Sequence, residues 1–187
     1  SLRSARIEGL KSIADLKVNK IDTFFYERKG DIKTAQGYYN IKINLPIVTQ
    51  FAHDRTHPAY MAAKKMLDGQ LKIFQNVYGY SDVVLVSPEG EIVYVTNEAH
   101  AEADLDHPLP DSDGKAFEEG KEGTYISDVF LRIRNKMEGY DFGILITAPA
   151  HDFRGKFIGV IALEVDMNPF YEFIQDTTGL GETGETL

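Results

Sequence analysis

Two carboxylates stand where a carboxylate has chemical consequences. Asp128 lies within Tyr125-Ile126-Ser127-Asp128-Val129-Phe130, among strand-forming residues, and Asp166 ends the apolar stretch from Val160 to Val165. A carboxylate in either place sits at a sheet rim or faces a cavity. A buried carboxylate needs a partner, because its desolvation is costly. A bound ammonium group is one such partner. Backbone amides are another, in which case the residue anchors a loop. Tyr94 and Tyr125 could line the same cavity, since tyrosine offers apolar area and a hydroxyl, or could be plain core aromatics.

Other chemistry finds less support. The five histidines are His53, His57, His100, His107 and His151. His53 and His57 are four apart, a spacing that puts two imidazoles on one helix face for a metal. Pro58 blurs the helix there and no third ligand stands out, so surface or capping roles are expected. His100 and His107, with Glu102, Asp104 and Asp106, form a charged loop that could hold a cation. A solvated loop is the simpler expectation. Gly179-Leu180-Gly181-Glu182-Thr183-Gly184 matches the dinucleotide fingerprint in letters, but no strand precedes it and no helix follows. Nucleophile-elbow, phosphate-loop and zinc-protease motifs are missing. The chain has no cysteine, which removes disulfides, thiolate metal sites and thiol catalysis. No catalytic residue, metal or cofactor is assigned, and the chain is not expected to be an enzyme.

The elements that would position these residues follow from hydrophobic spacing. Residues 4 to about 36 read as one helix, with Ile7, Leu10, Ile13 or Ala14, Val18, Ile21, Phe24, Phe25 and Ile32 keeping steps of three or four. About 30 helical residues span about 45 Å, so part of this helix must project or pack on a partner. Gly37 and Pro46 punctuate the next stretch, in which Leu45, Ile47, Val48 and Phe51 suggest a short helix. Pro58 then opens a helix that stops near Tyr78-Gly79. Beyond Gly79 the period becomes strand-like. Val83–Val86 and Ile92–Val95 form a hairpin around Ser87-Pro88-Glu89-Gly90. Residues 97–114 read as a loop, Lys115 to Glu119 as a short helix, Thr124 to Ile133 as a third strand and 134–141 as a polar turn. Gly143–Pro149 and Phe157–Val165 make a second hairpin. Gly159 inside its last strand suggests a bulge or a close approach. Pro169 to about Asp176 closes the series as a helix. The fold class is α+β: a long N-terminal helix followed by a five-stranded, mostly antiparallel sheet, with a pocket between the sheet and the irregular middle segment.

The formal net charge of −9 and the 43% apolar content fit a globular, acidic chain. Such a chain repels phosphate backbones and anionic lipid, so nucleic acid and membrane-surface binding are not expected. No apolar run approaches the roughly 20 residues of a membrane helix. The chain starts without Met and ends just after a Gly-rich motif, and is expected to be a piece of a longer protein whose anchors lie outside it.

Four segments in order carry a family resemblance: Asp82 through Gly90, Tyr125 through Phe130, Ile146 through Val160, and Thr178 through Thr186. Read with the long first helix, the chain resembles the Cache superfamily of extracytoplasmic sensor domains. The resemblance implies a PAS-like sheet binding a small molecule, in the extracytoplasmic part of a membrane-anchored receptor such as a sensor histidine kinase or chemoreceptor. It implies a helix and connecting segment over 1–58, a PAS-like sensor unit over 59–178, and the start of a following unit or a linker over 179–187. In amino-acid-sensing members, one aspartate after the last strand and one on the middle strand hold the ligand amine. Asp166 and Asp128 resemble these two. Tyr94, Tyr125 and Thr147 complete the expected ligand-binding set. The family's carboxylate-binding Arg-x-Trp-Tyr-like element has no counterpart in residues 97–114, which contain neither Arg nor Trp. An amine, an amino acid, another small metabolite, or no ligand (a structural spacer) all stay open, with an enzyme of unknown type further off. A homodimer through the N-terminal helix is also expected.

Overall fold

The computed structural model describes residues 2–133 and 140–178. The turn expected over 134–141 and the unit expected from 179 therefore lie largely or wholly outside the described residues. Helix α1 spans Leu2–Gln36, α2 Tyr39–Gln50 and α3 Pro58–Tyr78. Strands β1 (Asp82–Val86) and β2 (Ile92–Val95) follow, then α4 (Ala101–Asp104) and α5 (Lys115–Glu122). The chain continues through β3 (Tyr125–Ile126), β4 (Phe130–Ile133), β5 (Tyr140–His151), β6 (Phe157–Asp166) and α6 (Asn168–Gln175).

Each helix boundary has a local cause. Pro58 occupies the first turn of α3, where its missing N–H costs nothing. The His57 imidazole accepts a hydrogen bond from the Ala59 amide, and Gly79 ends the helix in the left-handed region at φ 74°. His57 is thus a cap, and its ring stacks on Phe51 at 4.0 Å, while His53 is exposed. Pro46 lies inside α2 instead of interrupting it. Ile41, Leu45 and Val48 form one buried stripe there, and that burial outweighs one lost backbone bond.

All pairings are antiparallel, in the order β2-β1-β6-β5, with β3 and β4 both pairing β5. The third strand expected over Thr124–Ile133 is interrupted at Ser127–Val129. Its two halves share one position, so the sheet has five positions. The break is held by Ser127, whose amide donates to the Leu145 carbonyl and whose hydroxyl accepts from the Leu145 amide, both at 2.8 Å.

Both sheet faces are covered. Val83, Leu85, Ile144, Ile146, Ile161 and Leu163 pack under α1, α2 and α3 with Ile32, Leu45, Leu67 and Leu71. Val84, Val86, Leu145, Val160 and Ala162 face the other way, toward Leu109 and Ala116 of the middle segment. This is strand period two expressed as two cores. At Gly159, φ is 141° and an added Cβ would collide with the Val86 carbonyl, beside a register shift at Ala150/His151. The close approach expected of this glycine is present.

Helix α1 is buried only toward its end, at Ile32 and Ala35. Phe24 and Phe25 pack on Phe170 of α6 at 5.5 and 6.2 Å. The first half projects, with Ile7, Leu10, Leu16 and Val18 exposed.

Candidate functional site

Residues of β6 reach the second face at every other position. Val160 and Ala162 are apolar and buried; Glu164 and Asp166 continue the same row in charged form. Their neighbours in register are Asp82 on β1, opposite Glu164, and Gly143 on β5, opposite Asp166. Arg132 on β4 lies opposite Asp141, two residues from Gly143. One end of this face therefore gathers five charged side chains from four strands.

A cavity of about 410 Å³ lies there. Its floor is Glu164, Val165, Asp166, Asp141, Phe142 and Gly143; Arg132 and Ser81 flank it; Asn97, Ala99, His100 and Ala103 of the middle segment cover it. Gly143 matters for this shape, because the Phe130 ring lies over it where a Cβ would collide.

Arg132 is the centre of the electrostatics. Its Nε donates to Glu164 Oε1 at 2.7 Å and its Nη2 to Glu164 Oε2 at 2.6 Å. Nη1 and Nη2 donate to the two oxygens of Asp104 at 3.0 Å each. The guanidinium is thus forked by two carboxylates, the strongest geometry available to it. Burial opposes its charge, but the hydrogen bonds it donates to Glu164 and Asp104 hold its pKa above the ordinary value. Burial likewise pushes the Glu164 carboxyl up, with Arg132 pulling it back. The bridge ties α4 to the sheet.

Beside it, His100 Nδ1 lies 2.8 Å from Asp82 Oδ2. Asp82 is fully buried, and its other oxygen accepts from the Thr96 amide, the Thr96 hydroxyl and the Asn97 amide, each at 3.0 Å. Burial is the largest influence and works against a charged His100, but the Asp82 hydrogen bond together with the charges of Glu164 and Asp82 raises the pKa on balance. Asp82, His100, Asp104 and Glu164 offer ligand atoms within 4.8 Å of one another. The guanidinium already serves two of them, so the arrangement is a built ion-pair network. The solvated loop expected around His100 and Asp104 is therefore corrected: both turn inward, because the sheet presents them with Asp82 and Arg132. The loop also contains one helical turn, α4.

The five expected ligand-binding residues do not converge. Asp166 lines the cavity, and its Oδ1 accepts from the Asn168 amide at 2.9 Å, capping α6. Asp128 is exposed in the break between β3 and β4 and is not among the lining residues. Tyr94 is buried on the helical face, donating to Asp68 Oδ1 at 2.8 Å. Tyr125 is half-buried on β3, with Asp113 and Lys115 acting on its hydroxyl. Thr147 is fully buried, donating from Oγ1 to the Ala116 carbonyl at 2.7 Å and so fixing α5 to the sheet. The structure adds Arg132, Glu164, Asp82 and His100. Glu164 had a signal in the sequence: a charge inside the most apolar strand, two residues before Asp166. Arg132 carried none, since an arginine near a strand end is ordinarily solvated.

No family model matches the sequence, and no curated protein matches it. Solved structures do. The ligand-binding domain of the Campylobacter jejuni chemoreceptor Tlp3, in complex with 4-methylisoleucine, superposes with TM-score 0.60 at 11% identity, covering 93% of this chain and 64% of that one. The ligand-binding domain of Mlp24 with asparagine gives 0.52 at 16%, covering 92% and 62%. That of the Pseudomonas aeruginosa PAO1 amino acid chemoreceptor PctC with GABA gives 0.53 at 13%, covering 89% and 63%. The chain thus spans less than two thirds of the length of these chains. At such identities the likeness establishes the fold alone, which is the one these chemoreceptor ligand-binding domains share.

Proposed function

We propose that this chain is a small-molecule sensing unit of a signal-transduction receptor, with the cavity over the β5–β6 ladder as its ligand site. The observation that carries this is the cavity itself: a hollow of about 410 Å³ with polar groups converging on it, within the usual size range of ligand sites, in a fold shared with chemoreceptor ligand-binding domains. An extracytoplasmic setting, a kinase or chemoreceptor effector and membrane anchoring outside the chain belong to the same reading. Among the described residues no helix is long and apolar enough to cross a membrane.

An enzymatic reading gains nothing from the lining. The Ser81 hydroxyl donates to the Glu164 carbonyl at 3.0 Å instead of to a base, so Ser81 is not set up as an activated nucleophile.

The site has a short mechanical route to the helix that would carry the signal. Asp166 lines the cavity and caps α6. Phe170 of α6 packs on Phe24 and Phe25 of α1. Lys17 Nζ of α1 donates to the Ile174 and Asp176 carbonyls at 3.0 and 2.7 Å. A ligand that draws Asp166 inward shifts α6, and with it the packing of α1. It shifts the equilibrium only by its difference in affinity for the two packings. The exposed Ile7, Leu10 and Val18 share one helix face and offer a seam for a second copy; a monomer in sedimentation at high concentration would count against that pairing.

The test is a thermal-shift and calorimetry screen of amines, amino acids and small carboxylates. A ligand at a hundredfold excess over its Kd adds about 2.7 kcal/mol, roughly 5–10 °C in Tm for a chain of this size. Ala103 is exposed at the cavity mouth, and Ala103→Trp fills it from there. Binding lost in that variant with Tm retained supports the reading. No ligand in the screen leaves the chain a structural spacer, and binding unaffected by Ala103→Trp refutes this cavity as the ligand site.

A further inference from the structure

Resting on that reading, we infer that the cavity selects a cationic ligand that carries no carboxylate, and that Asp104 and Glu164 impose this choice by occupying Arg132. A free arginine in a pocket is the natural clamp for a ligand carboxylate, since its planar fork matches the carboxylate with two parallel hydrogen bonds. Arg132 lines this cavity, yet its Nε, Nη1 and both hydrogens of Nη2 already serve Glu164 and Asp104. Of the five donors of a guanidinium, one on Nη1 is left. That is too few for a bidentate contact.

The charge balance acts in the same direction. Among the described residues, Asp104, Glu164 and Asp166 set three carboxylates near the one guanidinium of Arg132. His100, the other basic side chain among the described residues lining the cavity, is turned to Asp82. Low-dielectric walls lengthen the reach of such an excess. An incoming carboxylate meets a negative field and no open donor pair. An ammonium group meets Asp166.

The experiment uses ligand pairs that differ only by a carboxylate: tyramine against L-tyrosine, histamine against L-histidine, and isobutylamine against L-valine. Each is titrated into the 187-residue chain by calorimetry, with Tm followed in parallel. The expected result is that the amine of at least one pair binds tenfold or more tighter than its amino acid. An amino acid that binds as tightly as its amine, or a purely neutral metabolite as the best ligand, overturns the inference and leaves the sensing function standing. No binding of any probe, together with an empty broader screen, overturns both. A second arm uses Asp104→Asn, which preserves shape while removing one charge and freeing donors of Arg132. In it the amine-to-amino-acid preference should fall at least tenfold; a folded variant with an unchanged preference also overturns the inference. Where that variant does not fold, the pairs on the unaltered chain decide.

Discussion

Replacing Arg132 by Met should be the most damaging single change at the site, and its damage should depend on pH. Methionine keeps the aliphatic bulk and removes the guanidinium. That leaves Glu164 and Asp104, whose side chains are 4% and 7% exposed, as buried carboxylates without their cation. Removing one partner of a buried ion pair costs about 3–5 kcal/mol, most of it the desolvation of the orphaned charge. A domain of this length loses about 2–4 °C per kcal/mol, so Tm at pH 7 should fall by about 6–20 °C. The orphaned carboxyls escape the penalty by taking up protons. Without Arg132 the main influence holding Glu164 down is gone and only the charge of His100 still opposes burial, so its pKa rises further. The loss should therefore shrink as pH falls toward 5. The double variant Arg132→Met/Glu164→Gln should recover part of the stability at pH 7, because a neutral amide is cheaper to bury. Thermal and urea denaturation followed by circular dichroism, at pH 7 and pH 5, measures all three. A loss below about 1 kcal/mol at pH 7, or the same loss at both values, would refute the claim that the network is buried and ionised.

The His100–Asp82 pair gives a second pH signature. The folded-state pKa of His100 is raised, so its contribution is fully present below the unfolded value of about 6.5 and is lost as pH rises through the folded one. A hydrogen bond to a charged group contributes about 1.5–3 kcal/mol; His100→Gln should lose that at pH 6 and much less at pH 9, read from Tm against pH. Gly159→Ala should destabilise by about 1–3 kcal/mol from backbone strain alone, more with the collision at Val86, and a urea midpoint within error of the parent would contradict the geometry.

Much of the architecture was legible in the sequence because it depends on local rules. The 3.6-residue spacing along α1 and α3, the Pro58 start, the Gly79 stop and the two hairpins are all written in neighbouring residues. So is the special role of Gly159, because an isolated glycine in an apolar strand needs a backbone reason. The location of a cavity under the middle segment followed from the same reading, since a charged, irregular stretch facing a sheet cannot seal it with apolar side chains. Asp166 was found because it terminates an apolar strand, where a carboxylate must face something.

What the sequence could not settle was which side chains meet. Tyr94 and Thr147 looked like pocket residues, but strand phase turns Tyr94 toward α3 and α5 descends onto Thr147. Asp128 sits in a strand-like segment that breaks at Ser127, which leaves its carboxylate outside. Arg132, Asp104 and Glu164 are 28 and 32 residues apart along the chain, and nothing in their local contexts marks them as partners. Their pairing needs β4, β5 and β6 side by side in one register and α4 laid across them. Local propensity and periodicity are short-range, so a sequence carries them openly. An ion-pair network is a property of distances between strands, and only the packed sheet fixes those.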